Sequence, residues 1–198
     1  IPLNKPVAAE SVNVLGLLPG SDPELGKQVI LVGAHYDHVG DDPDGLRYAG
    51  ANDNASGISV LLEIARLWQE TGYRPKRSLL FAAWAAQEPG ELGSRYYTEH
   101  PVLPLEQTIA VVQLDGVGGG RGYFLEAQGD PEREGLLRFT MEASEAWVDG
   151  RLTLTRPTVQ SDHVPFREAG IPGLLLTWRE SSEENLPDEL ADPVLPYR

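Results

Sequence analysis

QVILVGAHYDH, residues 28–38, sets an unbroken apolar run directly against a cluster of groups that bind protons and metals. Gln28 to Ala34, rich in Val, Ile and Leu, reads as a strand, and the near-continuous apolar runs Ser78–Ala83 and Thr108–Leu114 have the pattern of strands buried on both faces of a sheet. Sheets of that kind arise where strands alternate with helices, and their ligands gather in the crevice where strands end and loops begin. A strand that runs into His35, Tyr36, Asp37 and His38 therefore raises the question of what stands at the other strand ends.

Reading outward, Ser11–Leu18, Ser78–Ala83, Thr108–Leu114, Arg151–Thr155 and Gly173–Trp178 are further short apolar runs, separated by segments rich in Pro, Gly and Asp. Between them, Ile58, Leu61, Leu62, Ala65 and Trp68 recur at helical spacing with Glu63, Arg66, Gln69 and Glu70 opposite, predicting an amphipathic helix over Ser56 to Glu70 that stops at Gly72. A second helix is predicted over Pro131 to Val148, with Leu136, Phe139, Ala143 and Trp147 on one side. The alternation predicts one α/β domain over residues 1–198 with a mostly parallel sheet between helices. The strand ends and the turn before the first helix then present a consistent set: His35 after the second strand, Asp53 in GANDNASG, Gln87-Glu88 after LLFAAWAA, and Asp115 after AVVQL. One such residue is ordinarily a loop hydrogen-bonder or helix cap. Four in one crevice make a site.

Composition limits what that site can be. With 30 acidic and 16 basic residues the net charge is -14, which repels phosphate backbones and anionic lipid, so neither nucleic acid nor a membrane surface is an expected partner. No apolar run reaches the roughly 20 residues that span a bilayer. The chain has no Cys, so a metal must be held by His, Asp and Glu, a donor set that suits zinc, cobalt or manganese. A carboxylate such as Asp53 can bridge paired ions. The start at Ile1 leads us to expect a piece of a longer chain.

The motifs VGAHYDH, GANDNASGISVLLEIARLW, LGSRYYTEHP, VVQLDGVG and SDHVPFREAGIPGLLLTW stand in an order that resembles the di-zinc aminopeptidases, peptidase family twenty-eight, whose relatives include glutaminyl cyclase and the transferrin-receptor ectodomain. The resemblance implies a zinc-exopeptidase-like three-layer α/β/α fold with a central mixed sheet, and metal-activated hydrolysis of N-terminal peptide bonds. It implies that His35 and Asp115 hold one ion, that Asp53 bridges, and that Glu88 holds the other. It further implies a peptide partner, an extracytoplasmic location and a closing helix beyond Arg198; it says nothing of oligomeric state.

The chain departs from the family pattern twice. The general-base Glu is replaced by Gln87, and an amide can orient a water but cannot take its proton. The distal His that completes the second ion's ligands is also missing, with Asn185-Leu186-Pro187 at its place. The resemblance thus implies one zinc ion at the complete set, and two if Glu184, Asn185 or His163 substitutes for the lost His. Glu91 and Glu183 are also candidates for a rescue of the site. If none rescues it, the alternative is a catalytically inactive peptidase fold that binds a partner or peptide.

Other signals carry less. Ser161-Asp162-His163 holds the letters of a hydrolase triad, but adjacent residues do not converge in that geometry. GVGGGRG, Gly116–Gly122, fails dinucleotide-loop spacing, and DDPDG, Asp41–Gly45, lacks the spacing and terminal Glu of a calcium loop. Trp84 and Trp178 stand near strand ends, where packing is the ordinary fate of tryptophan.

Overall fold

The computed structural model describes residues 9–118, 123–129, 152–155 and 160–180. The predicted helix over 131–148 and the candidates Glu183, Glu184 and Asn185 lie outside the described residues. The strands are β1 (Val14–Leu18), β2 (Val29–His35), β3 (Gly40–Asp41), β4 (Arg47–Tyr48), β5 (Ser78–Trp84), β6 (Thr108–Leu114), β7 (Tyr123–Gly129), β8 (Leu152–Thr155) and β9 (Gly173–Glu180). Among the described residues the α-helices are α1 (Gly57–Thr71), α2 (Leu92–Glu99) and α3 (Val164–Glu168).

Seven strands form one mixed sheet in the order β1-β5-β2-β6-β9-β7-β8, and β3 and β4 pair as a separate hairpin. The central strands β5, β2, β6 and β9 run parallel. β1 closes one side antiparallel to β5, and β7 runs antiparallel to β9 on the other. All four parallel strands therefore end at the same edge.

Strand alternation divides the core between the two faces. Val29, Leu31, Leu80, Ala82, Trp84 and Val111 point to one face, where they meet Tyr97 of α2 and Phe166 of α3. The Trp84 ring lies 5.5 Å from Tyr97 and 5.9 Å from Phe166, between centroids. Ala34, Leu79, Phe81 and Leu114 point to the other face and pack with Leu61, Ile58, Ala65 and Trp68 of α1. The result is the three-layer α/β/α arrangement expected from the alternation of elements. Trp84 is wholly buried and belongs to the core. Among the described residues no helix is long and apolar enough to cross a membrane.

Gly33 is required where three central strands meet. A Cβ there would collide with the Trp84 indole nitrogen and lie 2.7 Å from Gln113 Oε1, both on buried side chains. Overpacking at such a site costs about 1–3 kcal/mol. Gly33→Ala is therefore expected to lower the urea midpoint by that equivalent without changing the slope of the transition.

Candidate metal centre

The centre is assembled where β2, β5 and β6 end. His35, the last residue of β2, is buried, and its Nδ1 lies 3.1 Å from the Asp37 carbonyl. That contact directs Nε2 towards two carboxylates, Asp53 Oδ1 at 3.2 Å and Asp115 Oδ1 at 3.3 Å. A ring nitrogen held by a backbone carbonyl is the usual means of fixing a metal-binding histidine in orientation and tautomer. Asp115 is held from behind by Ser161, whose hydroxyl donates to Oδ2 at 2.7 Å.

Asp53 stands in an irregular helical turn, Ala51–Ser56, where it and Asn54 leave helical φ/ψ and the peptide between them is cis. The buried Asn54 side chain fixes the turn. Its Nδ2 donates to the Leu114 carbonyl at 2.9 Å, and its Oδ1 accepts from the Gly57 and Gly116 amides at 3.0 and 3.2 Å. After β5, the Asp37 carboxylate accepts from the backbone amides of Gln87 and Glu88 at 2.9 and 3.2 Å. Both residues are thereby presented to the cleft by their main chain, whatever their side chains do.

Ligand-capable atoms of His35, Asp53 and Asp115 lie within 4.8 Å of one another, and so do those of His38, Asp53 and Glu88. Asp53 belongs to both groups. Gln87, Glu88, Asp53 and Asp115 line one cleft of about 330 Å³ that also includes Thr177 and Trp178. Burial alone would push the His35 imidazole down, but its hydrogen bonds to Asp115 and Asp53 outweigh that and push it up to about 10. The hydrogen bond to His35 in turn lowers Asp53 against the opposing effect of burial. Convergent nitrogen and oxygen donors, with carboxylates outnumbering imidazoles, are the chemistry of a cation site.

The profile of peptidase family M28 matches residues 13–191. The chain belongs to this family. The M28 domain is 33% identical over 172 residues to leupeptin-inactivating enzyme 1 of Streptomyces exfoliatus, covering 83% of this chain and 35% of that protein. It is 33% identical over 163 residues to aminopeptidase YwaD of Bacillus subtilis, covering 80% of this chain and 34% of that one. Among solved structures, BSAP, a zinc aminopeptidase from Bacillus subtilis, superposes with a TM-score of 0.72 at 30% identity, over 90% of this chain and 42% of the other. The M28 domain thus spans about a third of the length of these curated relatives. Family and fold together make it a metallopeptidase-type domain.

The structure brings together all four residues expected as ligands, His35, Asp53, Glu88 and Asp115, with Gln87 beside them. It adds two residues to which sequence reasoning gave no role: His38, and Asp37 as the anchor of the Gln87-Glu88 segment. His163 lies outside both ligand groups. It is fully buried, neither ring nitrogen finds a hydrogen-bond partner among the described residues, and burial followed by the charge of Arg167 pushes it down to about 4. Glu91 is also buried, and its carboxylate is engaged by Arg95 at 2.8 Å.

Asp162 stands behind the centre, its Oδ1 2.6 Å from Ser94 Oγ and its Oδ2 accepting from Gln113 Nε2 at 3.1 Å. Burial pushes this carboxyl up from 3.8 to about 7, with the Ser94 hydrogen bond acting the other way. The unfolded chain thus loses this proton first. The stability contributed by the neutral carboxyl is complete below about pH 4 and is lost as the pH rises through about 7. Asp162→Asn should therefore gain stability relative to wild type between those limits and level off above them. Urea titrations of the metal-stripped proteins at several pH values check this, and a difference independent of pH counts against it.

Proposed function

We propose that this domain is the catalytic unit of a zinc-dependent aminopeptidase whose turnover is slowed by Gln87. His35, Asp53 and Asp115 would hold zinc, and Asp53, as a bridge, and Glu88 would face a second ion. Bound zinc supplies Lewis acidity, polarising a peptide carbonyl and easing the ionisation of water. The observation that carries this reading is the convergence of these four residues, with Asp53, Glu88 and Asp115 lining one cleft, on an M28 fold.

The chain's own groups define the rest. Asp53, Glu88 and Asp115 give the cleft a negative potential that suits the cationic amine of a peptide N-terminus. Thr177 and Trp178 offer a hydroxyl and an aromatic face to the first side chain of the substrate. On this reading Gln87, which lines the cleft, takes the place of the base. Its carboxamide can position a water through either the oxygen or the NH₂ group, but it cannot store the proton between attack and departure of the amine.

That same residue favours a second reading, a peptidase fold that binds peptides without cleaving them. The two separate on Gln87→Glu. In zinc-loaded protein assayed on aminoacyl anilides and short peptides, the aminopeptidase reading expects kcat to rise by about a hundred- to ten-thousand-fold. No cleavage by wild type or variant, with zinc demonstrably bound to both, favours the binding domain.

A further inference from the structure

The second group of donors contains a residue that the four expected ligands do not include. His38 leaves β2 three residues beyond His35 and returns its Nδ1 to within 2.8 Å of Glu88 Oε1. Both side chains are about a quarter exposed, 22% for His38 and 24% for Glu88, and Glu88 lines the cleft. Asp53, half exposed, completes the set with a donor atom within 4.8 Å of each.

The seat of the imidazole is shaped by the turn it approaches. Gly50, at φ 67°, introduces the segment that carries Asp53. A Cβ at Gly50 would lie 3.0 Å from both Cβ and Cγ of His38 and 2.9 Å from the Asp53 carbonyl oxygen. The missing side chain lets His38 settle against the Asp53 turn, where a left-handed backbone also favours glycine. A loop histidine is thus lodged between two carboxylates that come from different parts of the fold.

We propose that His38 is the nitrogen ligand of the second ion, in place of the distal histidine that the chain lacks. This rests on the reading of the cleft as a zinc centre, and adds that the centre holds two ions with protein ligands all drawn from the first 115 residues. Each ion would then have one imidazole and share the Asp53 carboxylate, His35 and Asp115 serving one and His38 and Glu88 the other. His and carboxylate ligands with a position left open for solvent are the usual makeup of a catalytic zinc site.

The chain has four histidines, His35, His38, His100 and His163, so ring ¹⁵N resonances of histidine-labelled protein give a direct test. Metal-stripped protein titrated with zinc, followed by native mass spectrometry and ¹⁵N spectra, is expected to take up two ions. The His35 and His38 rings should shift to coordinated values while His100 stays unmoved. His38→Ala and, as a milder change, His38→Gln should each retain one ion, and Glu184→Gln with Asn185→Ala should retain both. Two ions in the His38 variants, one ion in wild type, or a His38 ring unmoved by the second equivalent overturns the assignment while leaving the His35 site standing. Wild type that binds no zinc removes the metal reading itself.

Discussion

The amide of Asn54 joins the two segments that carry most of the acidic charge of the centre. Asp53 precedes it in a turn before α1, Asp115 follows the end of β6, and the two segments are far apart in sequence. One buried side chain satisfies the last carbonyl of β6, an amide just past it, and the first amide of α1. The Leu114 carbonyl and the Gly57 amide would otherwise be unpaired polar atoms in the interior, at a cost of about 1–3 kcal/mol each. The carboxylates are therefore held at hydrogen-bonding distance from His35 by the needs of the main chain, before any cation is considered.

That rigidity has an electrostatic consequence. Three carboxylates and two imidazoles share a small volume, with the Asp37 carboxylate 3.8 Å from His35 Nδ1 and the Asp162 carboxyl behind them among buried groups. Ser161, Gln113 and Ser94 each supply a polar contact to one of the acids from below the cleft. The Ser161 contact takes Asp115 Oδ2 and leaves Oδ1 turned towards His35. The protein itself partly balances the excess negative charge by raising the proton affinity of His35.

The layers of the fold were legible because burial writes itself into composition. Thr108–Leu114 reads as a strand and is one, residue for residue, since both of its faces are covered. The amphipathic period of α1 predicts its limits to within a residue. α2 was not legible: its buried residues are Gly93, Ser94 and Tyr97, so no apolar stripe marks it. α3 is five residues long and includes Pro165, too short to show a period. The strand ends pointed to His35, Glu88 and Asp115, and the turn before α1 to Asp53, because position at a sheet edge or a helix start is itself a structural statement. His38 and Asp37 lie in a loop, where spacing fixes no direction, and their contacts depend on how that loop folds back over Gln87, Glu88 and Gly50.

The way Asp37 grips positions 87 and 88 separates two duties that adjacent side chains would otherwise share. The grip is on backbone amides, so the group at 87 can change between carboxamide and carboxylate without loosening its neighbour. Glutamine and glutamate codons differ in a single base. On the proposed reading, a lineage carrying this scaffold stands one point mutation away from exchanging slow turnover of a peptide for fast, and the same step is open in reverse. A fold so arranged can preserve a slowed active site intact over long descent, because the part that is expensive to rebuild is maintained by the chain's own packing.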